Sequence, residues 1–167
     1  IALFLLAVAF LSGIATSCKI AYSFTGANLS PDIKTFSVYY FPNRAKLVNP
    51  TLSQVFTEEL REKLQRQTSL DEVSDNGHIE FEGQITGYEV RPMAIQKDDM
   101  PAQSRLTITI KLKYTNSKVP EQDFERTFSA FEDFDNTRML SDVEDGLVPE
   151  IIDKLTEDIF NATIANW

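Results

Sequence analysis

The amino-acid sequence predicts an α+β domain, with two helices packed on one face of a four-stranded mixed sheet in the order β-α-β-β-β-α. Three patterns carry that prediction. Apolar residues recur at helical spacing between positions 51 and 68, alternate strictly through "RLTITIKLKYT" at 105–115, and return to helical spacing from position 141 onwards.

The first strand is "IKTFSVYYF" at 33–41, dense in β-branched and aromatic residues. "PNRAKLVNP" then forms a loop with a proline at each end, and Asn49 followed by Pro50 supplies an N-cap and a first-turn proline for the helix. That helix presents Leu52, Val55, Phe56, Leu60 and Leu64 on one face and Glu58, Glu62, Lys63 and Arg66 on the other. In the second strand, 79–90, Ile79, Phe81 and Ile85 alternate with Glu80, Glu82, Gln84 and Thr86. Gly83 and Gly87 interrupt it, which predicts a bulge or a close backbone approach. The third strand puts Leu106, Ile108, Ile110, Leu112 and Tyr114 on one side and Arg105, Thr107, Thr109, Lys111, Lys113 and Thr115 on the other. "DFERTFSAF" at 123–131 is the fourth. Ser141 and Glu144 stand at capping-box spacing ahead of a second apolar stripe, Val143, Leu147, Val148, Ile151, Ile152, Leu155 and Ile159. Pro149 predicts either a kink in this helix or its true start. A helical crossover makes the first two strands parallel, and short loops make the later ones antiparallel hairpins.

Ahead of this domain, residues 1–11 are all apolar, too short a run for a comfortable membrane helix, and they have the character of the apolar region of a secretory signal. Ala15, Thr16 and Ser17 precede Cys18, the only cysteine, in the manner of a bacterial lipobox, although the commonest form has Leu where this chain has Ala15. A lone cysteine forms no internal disulfide, and its polar neighbours Ser17 and Lys19 argue against a buried core residue. Cys18 is therefore expected to be acylated, two chains being enough for stable anchoring. The expected organisation is a signal peptide over 1–17, an anchor and tether over 18–32, and one domain over 33–167.

The chain carries 16 basic and 25 acidic residues, a net charge of −9, which argues against general binding to phosphate backbones of nucleic acids. Against that background Arg105, Lys111, Lys113 and Lys118 form a basic island with no acid between Met100 and Glu121. Two readings of Arg105, Lys111 and Lys113 are open: a solvated face paired with Glu80, Glu82, Asp123 or Glu125 on neighbouring strands, or a site for anionic headgroups. His78, the only histidine, has no nucleophile or partner nominated beside it and reads as a turn residue. Asp133, Asp135, Thr137, Ser141 and Glu144 match the spacing of a calcium loop, but Arg138 occupies the position that needs Gly for the turn. No catalytic set, metal site or cofactor is expected. The polar loop at 97–103 is assigned no role.

Several stretches together resemble the LptE family in the form found in Bacteroidetes. They are the start "CKIAYSFTGANLSPDIKTFSVYYFPNRAKLVNPTLSQVFTEELREKL", the strands "HIEFEGQITGYEV" and "QSRLTITIKLKYTN", and the ending "VEDGLVPEIIDKLTEDIFNATIANW". The resemblance runs from Cys18 to Trp167. It implies a non-enzymatic outer-membrane lipoprotein that plugs the lumen of the β-barrel LptD as a 1:1 complex, assists barrel assembly and binds lipopolysaccharide. It also implies a periplasm-facing location and two helices on a four-stranded sheet. A free periplasmic lipoprotein holding a small ligand between helices and sheet is the alternative.

Overall fold

The computed structural model describes residues 29–47, 49–93 and 102–165. The expected signal peptide, Cys18, most of the tether, positions 97–101 of the polar loop and Trp167 lie outside the described residues.

In chain order the elements are β1 (Thr35–Val38), α1 (Leu52–Gln67), β2 (Asp71–Glu72), β3 (Ile79–Pro92), β4 (Gln103–Asn116), β5 (Phe124–Asp135) and α2 (Glu144–Thr163). Single 3-10 turns at Pro120–Gln122 and Leu140–Asp142 precede β5 and α2. The strands lie in the order β2-β1-β3-β4-β5, with β1 parallel to both neighbours and β3, β4 and β5 antiparallel. The two-helix, mixed-sheet architecture is as predicted, but the sheet has five strands instead of four. The addition is β2, two exposed residues held by Asp71 N–H donating to Lys34 O and Val73 N–H to Phe36 O, both at 2.9 Å. Two residues carry no periodicity, so only backbone pairing reveals them.

The first strand is also shorter than the sequence suggests. Tyr39 N–H still donates to Phe81 O at 2.9 Å, but Pro42 has no donor to continue a ladder. Beyond it an isolated bridge joins Asn43 to Ile85 of β3.

The core lies between the helices and one face of the sheet. Phe36, Ile79, Phe81, Ile85, Leu106, Ile108, Ile110 and Leu112 are fully buried there, against Leu52, Phe56, Leu60 and Leu64 of α1 and Ile151, Leu155 and Ile159 of α2. The ring of Phe56 meets Phe41 edge-on at 5.0 Å, which seats α1 beside β1. Val55, counted in the apolar stripe of α1, is 40% exposed at its margin. Between the helices Lys63 is buried, and its ammonium reaches Glu157 at 2.9 Å and Asp153 at 3.1 Å on α2. Burial opposes the charge, but hydrogen bonds to Glu157 and Asp153 outweigh it and hold the pKa above the ordinary lysine value.

Both glycines in β3 have the predicted roles. A Cβ on Gly83 would stand 2.2 Å from Lys111 O and 2.6 Å from the Phe41 ring, so only glycine lets β4 approach. The register shifts between Ile85 and Gly87, making Thr86 the extra residue of a bulge. Past the bulge the inward phase moves by one, and Tyr88, not Gly87, enters the core.

Both helix starts differ from the sequence reading. Asn49 does cap α1, its Oδ1 accepting from the N–H groups of Thr51 at 3.0 Å and Leu52 at 3.1 Å, but the helix begins two residues later than Pro50. Ser141 falls in the 3-10 turn and does not cap α2. The Glu144 carboxylate, expected to reach back to it, accepts instead from Tyr88 Oη and from Asn49 Nδ2, the latter at 2.6 Å. One acid thus joins β3, the α1 cap and the first turn of α2. α2 runs through Pro149, which is exposed and removes one backbone donor.

Candidate functional site

The opposite face of β3, β4 and β5 carries none of the described helices. Alternation along β4 turns Arg105, Thr107, Thr109, Lys111 and Lys113 outwards, and the register sets them beside outward residues of β3 and β5. Fourteen residues at ~3.4 Å make this face roughly 45 Å long.

The three predicted site residues share this face but do not converge. Arg105 sits toward one end, where its Nε and a terminal nitrogen grip both oxygens of Asp133 at 2.7 and 2.9 Å. Its guanidinium carbon lies 3.5 Å from the ring centroid of Phe131, which is 44% exposed. The hydrogen bond to Asp133 raises the Arg105 pKa, and the same bond holds the Asp133 carboxyl below the usual carboxylate range. Lys111 and Lys113 meet toward the other end around a recess of about 190 Å³ lined also by Glu82, Gly83, Gln84 and Glu125. There Lys111 Nζ reaches Glu125 at 2.6 Å and Lys113 Nζ reaches Glu82 at 3.2 Å. Between the two ends runs a band of hydroxyls in which Thr109 Oγ1 and Ser129 Oγ are 2.9 Å apart.

Glu82 and Glu125 were legible as partners because they alternate with apolar residues on adjacent strands. Asp133 was missed because β5 was expected to stop at position 131, and Phe131, the last residue of that expected strand, was given no face. The outward phase Glu125, Thr127, Ser129, Phe131, Asp133 continues through that limit and was the available signal.

Other singled-out residues have structural duties. His78 Nδ1 accepts from Lys34 N–H at 2.9 Å, and its carbonyl accepts from Ser117 N–H at 2.9 Å, tying the start of β3 to β1 and to the turn after β4. The calcium-loop positions are dispersed. Asp133 is held by Arg105, Asp135 Oδ1 accepts from Thr137 N–H at 2.9 Å and Oγ1 at 2.7 Å, and Glu144 is bound to Tyr88 and Asn49. Hydrogen bonds from Thr137, first its backbone and then its side chain, lower the Asp135 pKa. Among the described residues no helix is long and apolar enough to cross a membrane.

A family model described as LptE, lipopolysaccharide-assembly, matches residues 33–163. The chain belongs to the LptE family. That span includes β1 through the last residue of α2, so membership rests on the whole described fold and not on one motif. Among solved structures, this LptE chain is similar to a minor lipoprotein from Acinetobacter baumannii, at 17% identity and a TM-score of 0.50 over 76% of this chain and 89% of that one. It is also similar to a hypothetical protein from Chlamydia trachomatis, at 9% identity and a TM-score of 0.52 over 80% of this chain and 99% of the other. At such identities the likeness is one of fold. No curated protein sequence matches the chain.

Proposed function

We propose that this chain is the non-catalytic lipoprotein subunit of a lipopolysaccharide translocon. It is anchored on the periplasmic side of the outer membrane through acylated Cys18 and seated in the lumen of an LptD-like β-barrel as a 1:1 complex. There it assists barrel assembly and the insertion of lipopolysaccharide into the outer leaflet. The observation that carries this reading is the family match across residues 33–163.

The outer face of β3, β4 and β5 supports it physically. Barrel interiors are polar, so a wedge inside one needs an exterior of hydroxyls and paired charges, which this face supplies. Lys111 and Lys113 are assigned to the anionic headgroup. Their side chains are 46% and 57% exposed, so exchanging Glu125 and Glu82 for phosphate oxygens costs little, and an ammonium binds either acceptor through charge-assisted hydrogen bonds. Arg105 marks the far end of the same face, where Phe131 adds an aromatic surface.

Affinity purification of the tagged chain from detergent-solubilised outer membranes tests the reading. An equimolar β-barrel partner is expected, and Cys18→Ala is expected to release the chain from washed envelopes. A chain that elutes alone as a monomer overturns the reading in favour of a free periplasmic lipoprotein. Lipopolysaccharide binding that survives Lys111→Glu with Lys113→Glu removes the headgroup role from these two residues.

A further inference from the structure

The far half of β3 has no described neighbour on the side where β1 pairs with it. β1 follows Ile79 to Phe81, and a last contact comes at Ile85, whose carbonyl accepts from Arg44 N–H at 2.8 Å and whose N–H donates to Pro42 O at 3.0 Å. The chain then bends away at positions 45–47, and no described strand takes the lane beside residues 87–92.

The register identifies the backbone groups left over. Met93 N–H donates to Gln103 O at 2.8 Å, so the hydrogen-bonded pairs with β4 fall at every second residue, Arg91, Glu89 and Gly87. Tyr88, Val90 and Pro92 therefore aim their main chains at the empty lane. Among the described residues no hydrogen bond from outside β3 and β4 reaches these groups. The far edge of the sheet is blunted, because β2 is two exposed acidic residues long. This one opens instead into a recess of about 320 Å³, lined by Lys46, Leu47, Tyr88, Glu89, Val90 and Arg91 among others.

The lining selects the occupant. Donors and acceptors repeating every second residue, at ~6.8 Å, match another extended backbone and neither a lipid headgroup nor a free anion. Leu47 is 53% exposed and Val90 is only partly buried, so apolar surface stands open beside the unpaired main chain. The charged residues on the lining are two cations and one acid, in a chain whose net charge is −9. Lys46 makes no ion pair among the described residues, and the Arg91 side chain, 77% exposed, has only its own strand's Glu89 at 2.7 Å.

We propose that the lane beside residues 87–92 is a strand-addition site for an extended, acidic segment of a partner protein. The segment pairs with the free main chain of Tyr88 and Val90, sets alternate apolar residues beside Val90 and Leu47, and turns a carboxylate toward Arg91 and Lys46. Pro92 ends the ladder because it has no N–H to give. The site does not rest on the translocon reading, and none of Arg105, Lys111 and Lys113 lines it.

Titration of the full chain with acetyl-Val-Thr-Val-Glu-Val-amide, followed by NMR at the Leu47 and Val90 amides, tests the proposal. Saturable shifts are expected, with Val90 N–H exchanging fast in the free chain and slowly at saturation. The fully N-methylated peptide keeps the side chains but loses the backbone donors, and no binding is expected from it. Replacing its glutamate by lysine should weaken the parent peptide about two- to fivefold, a preference that Arg91→Glu reverses. Val90→Pro removes a donor that faces the lane and not β4, so it is expected to abolish saturation while the β3–β4 ladder persists. Leu47→Ser, at an exposed loop position, should weaken the peptide with the unfolding midpoint unchanged. Three results overturn the proposal: no saturable shift, equal binding of the N-methylated peptide, or a Val90 amide already protected in the free chain, which would mean that the chain's own residues fill the lane. Failure here leaves barrel co-purification and lipopolysaccharide binding unaffected, so it is distinguishable from failure of the translocon reading.

Discussion

The two faces of one set of strands behave as different materials. On the inner face of β3 and β4 every apolar position from Ile79 to Ile85 and from Leu106 to Tyr114 is buried in the core that the helices cover. On the outer face the same strands carry threonines and charges, and the pairs made by Lys111 and Lys113 are about half exposed. The period of two assigns alternate residues to two jobs, so substitutions one residue apart should have effects of different size and kind. The inner face fixes the shape, and the outer face is free to make contacts.

The sharpest way to break that comparison is a cavity in the inner face. Ile110→Ala is expected to cost about 2–5 kcal/mol, read as a drop in the urea midpoint, whereas its outward neighbour Thr109→Ala should fall within about 0.5 kcal/mol of the parent. Equal effects would mean that the outer face is also packed. Second in size is Gly83→Ala, which drives a methyl into Lys111 O and the Phe41 ring and is expected to destabilise by about 1–3 kcal/mol. Its amide exchange should rise first along the β3–β4 ladder.

Lys63 sharpens the comparison through pH. Its pKa is higher in the folded than in the unfolded chain, so folding strengthens proton binding. Its contribution is complete below the unfolded value, about pH 10.5, and is lost as pH rises through the folded value. Lys63→Met should change stability at pH 7 by no more than about 1 kcal/mol, since Asp153 and Glu157 stay hydrated and the buried stem is replaced by an apolar one. It should also remove part of the alkaline fall. Smallest of all is Lys111→Ala, worth ~1 kcal/mol or less in stability and screened further by salt, with its expected consequence in binding instead.

How much of this the sequence disclosed follows from how local each signal is. The β4 alternation, the apolar face of α1 and the glycine positions of β3 depend on near neighbours and were legible, as was the outward orientation of Arg105, Lys111 and Lys113. β2 was not, because Asp71 and Glu72 join the sheet through backbone bonds to β1 alone. Nor was the start of α2, because Glu144 is drawn to Tyr88 and Asn49, 56 and 95 residues away, and only the folded chain brings them within reach. The phase change at Thr86 hid Tyr88 from the core, although Gly87 signalled a bulge. At the outer face, opposite charges on adjacent strands gave Glu82 and Glu125, while Asp133 required the length of β5.

A photo-crosslinking residue placed at Thr109, in the middle of the outer face, tests most directly whether this is the working face of the molecule. With a second variant carrying the same residue at Ile110, the account predicts light-dependent adducts to a membrane β-barrel from Thr109 in intact cells and internal or no adducts from Ile110. An outer-face position that captures no barrel, while a control on the exposed side of α1 such as Glu58 does, would contradict it.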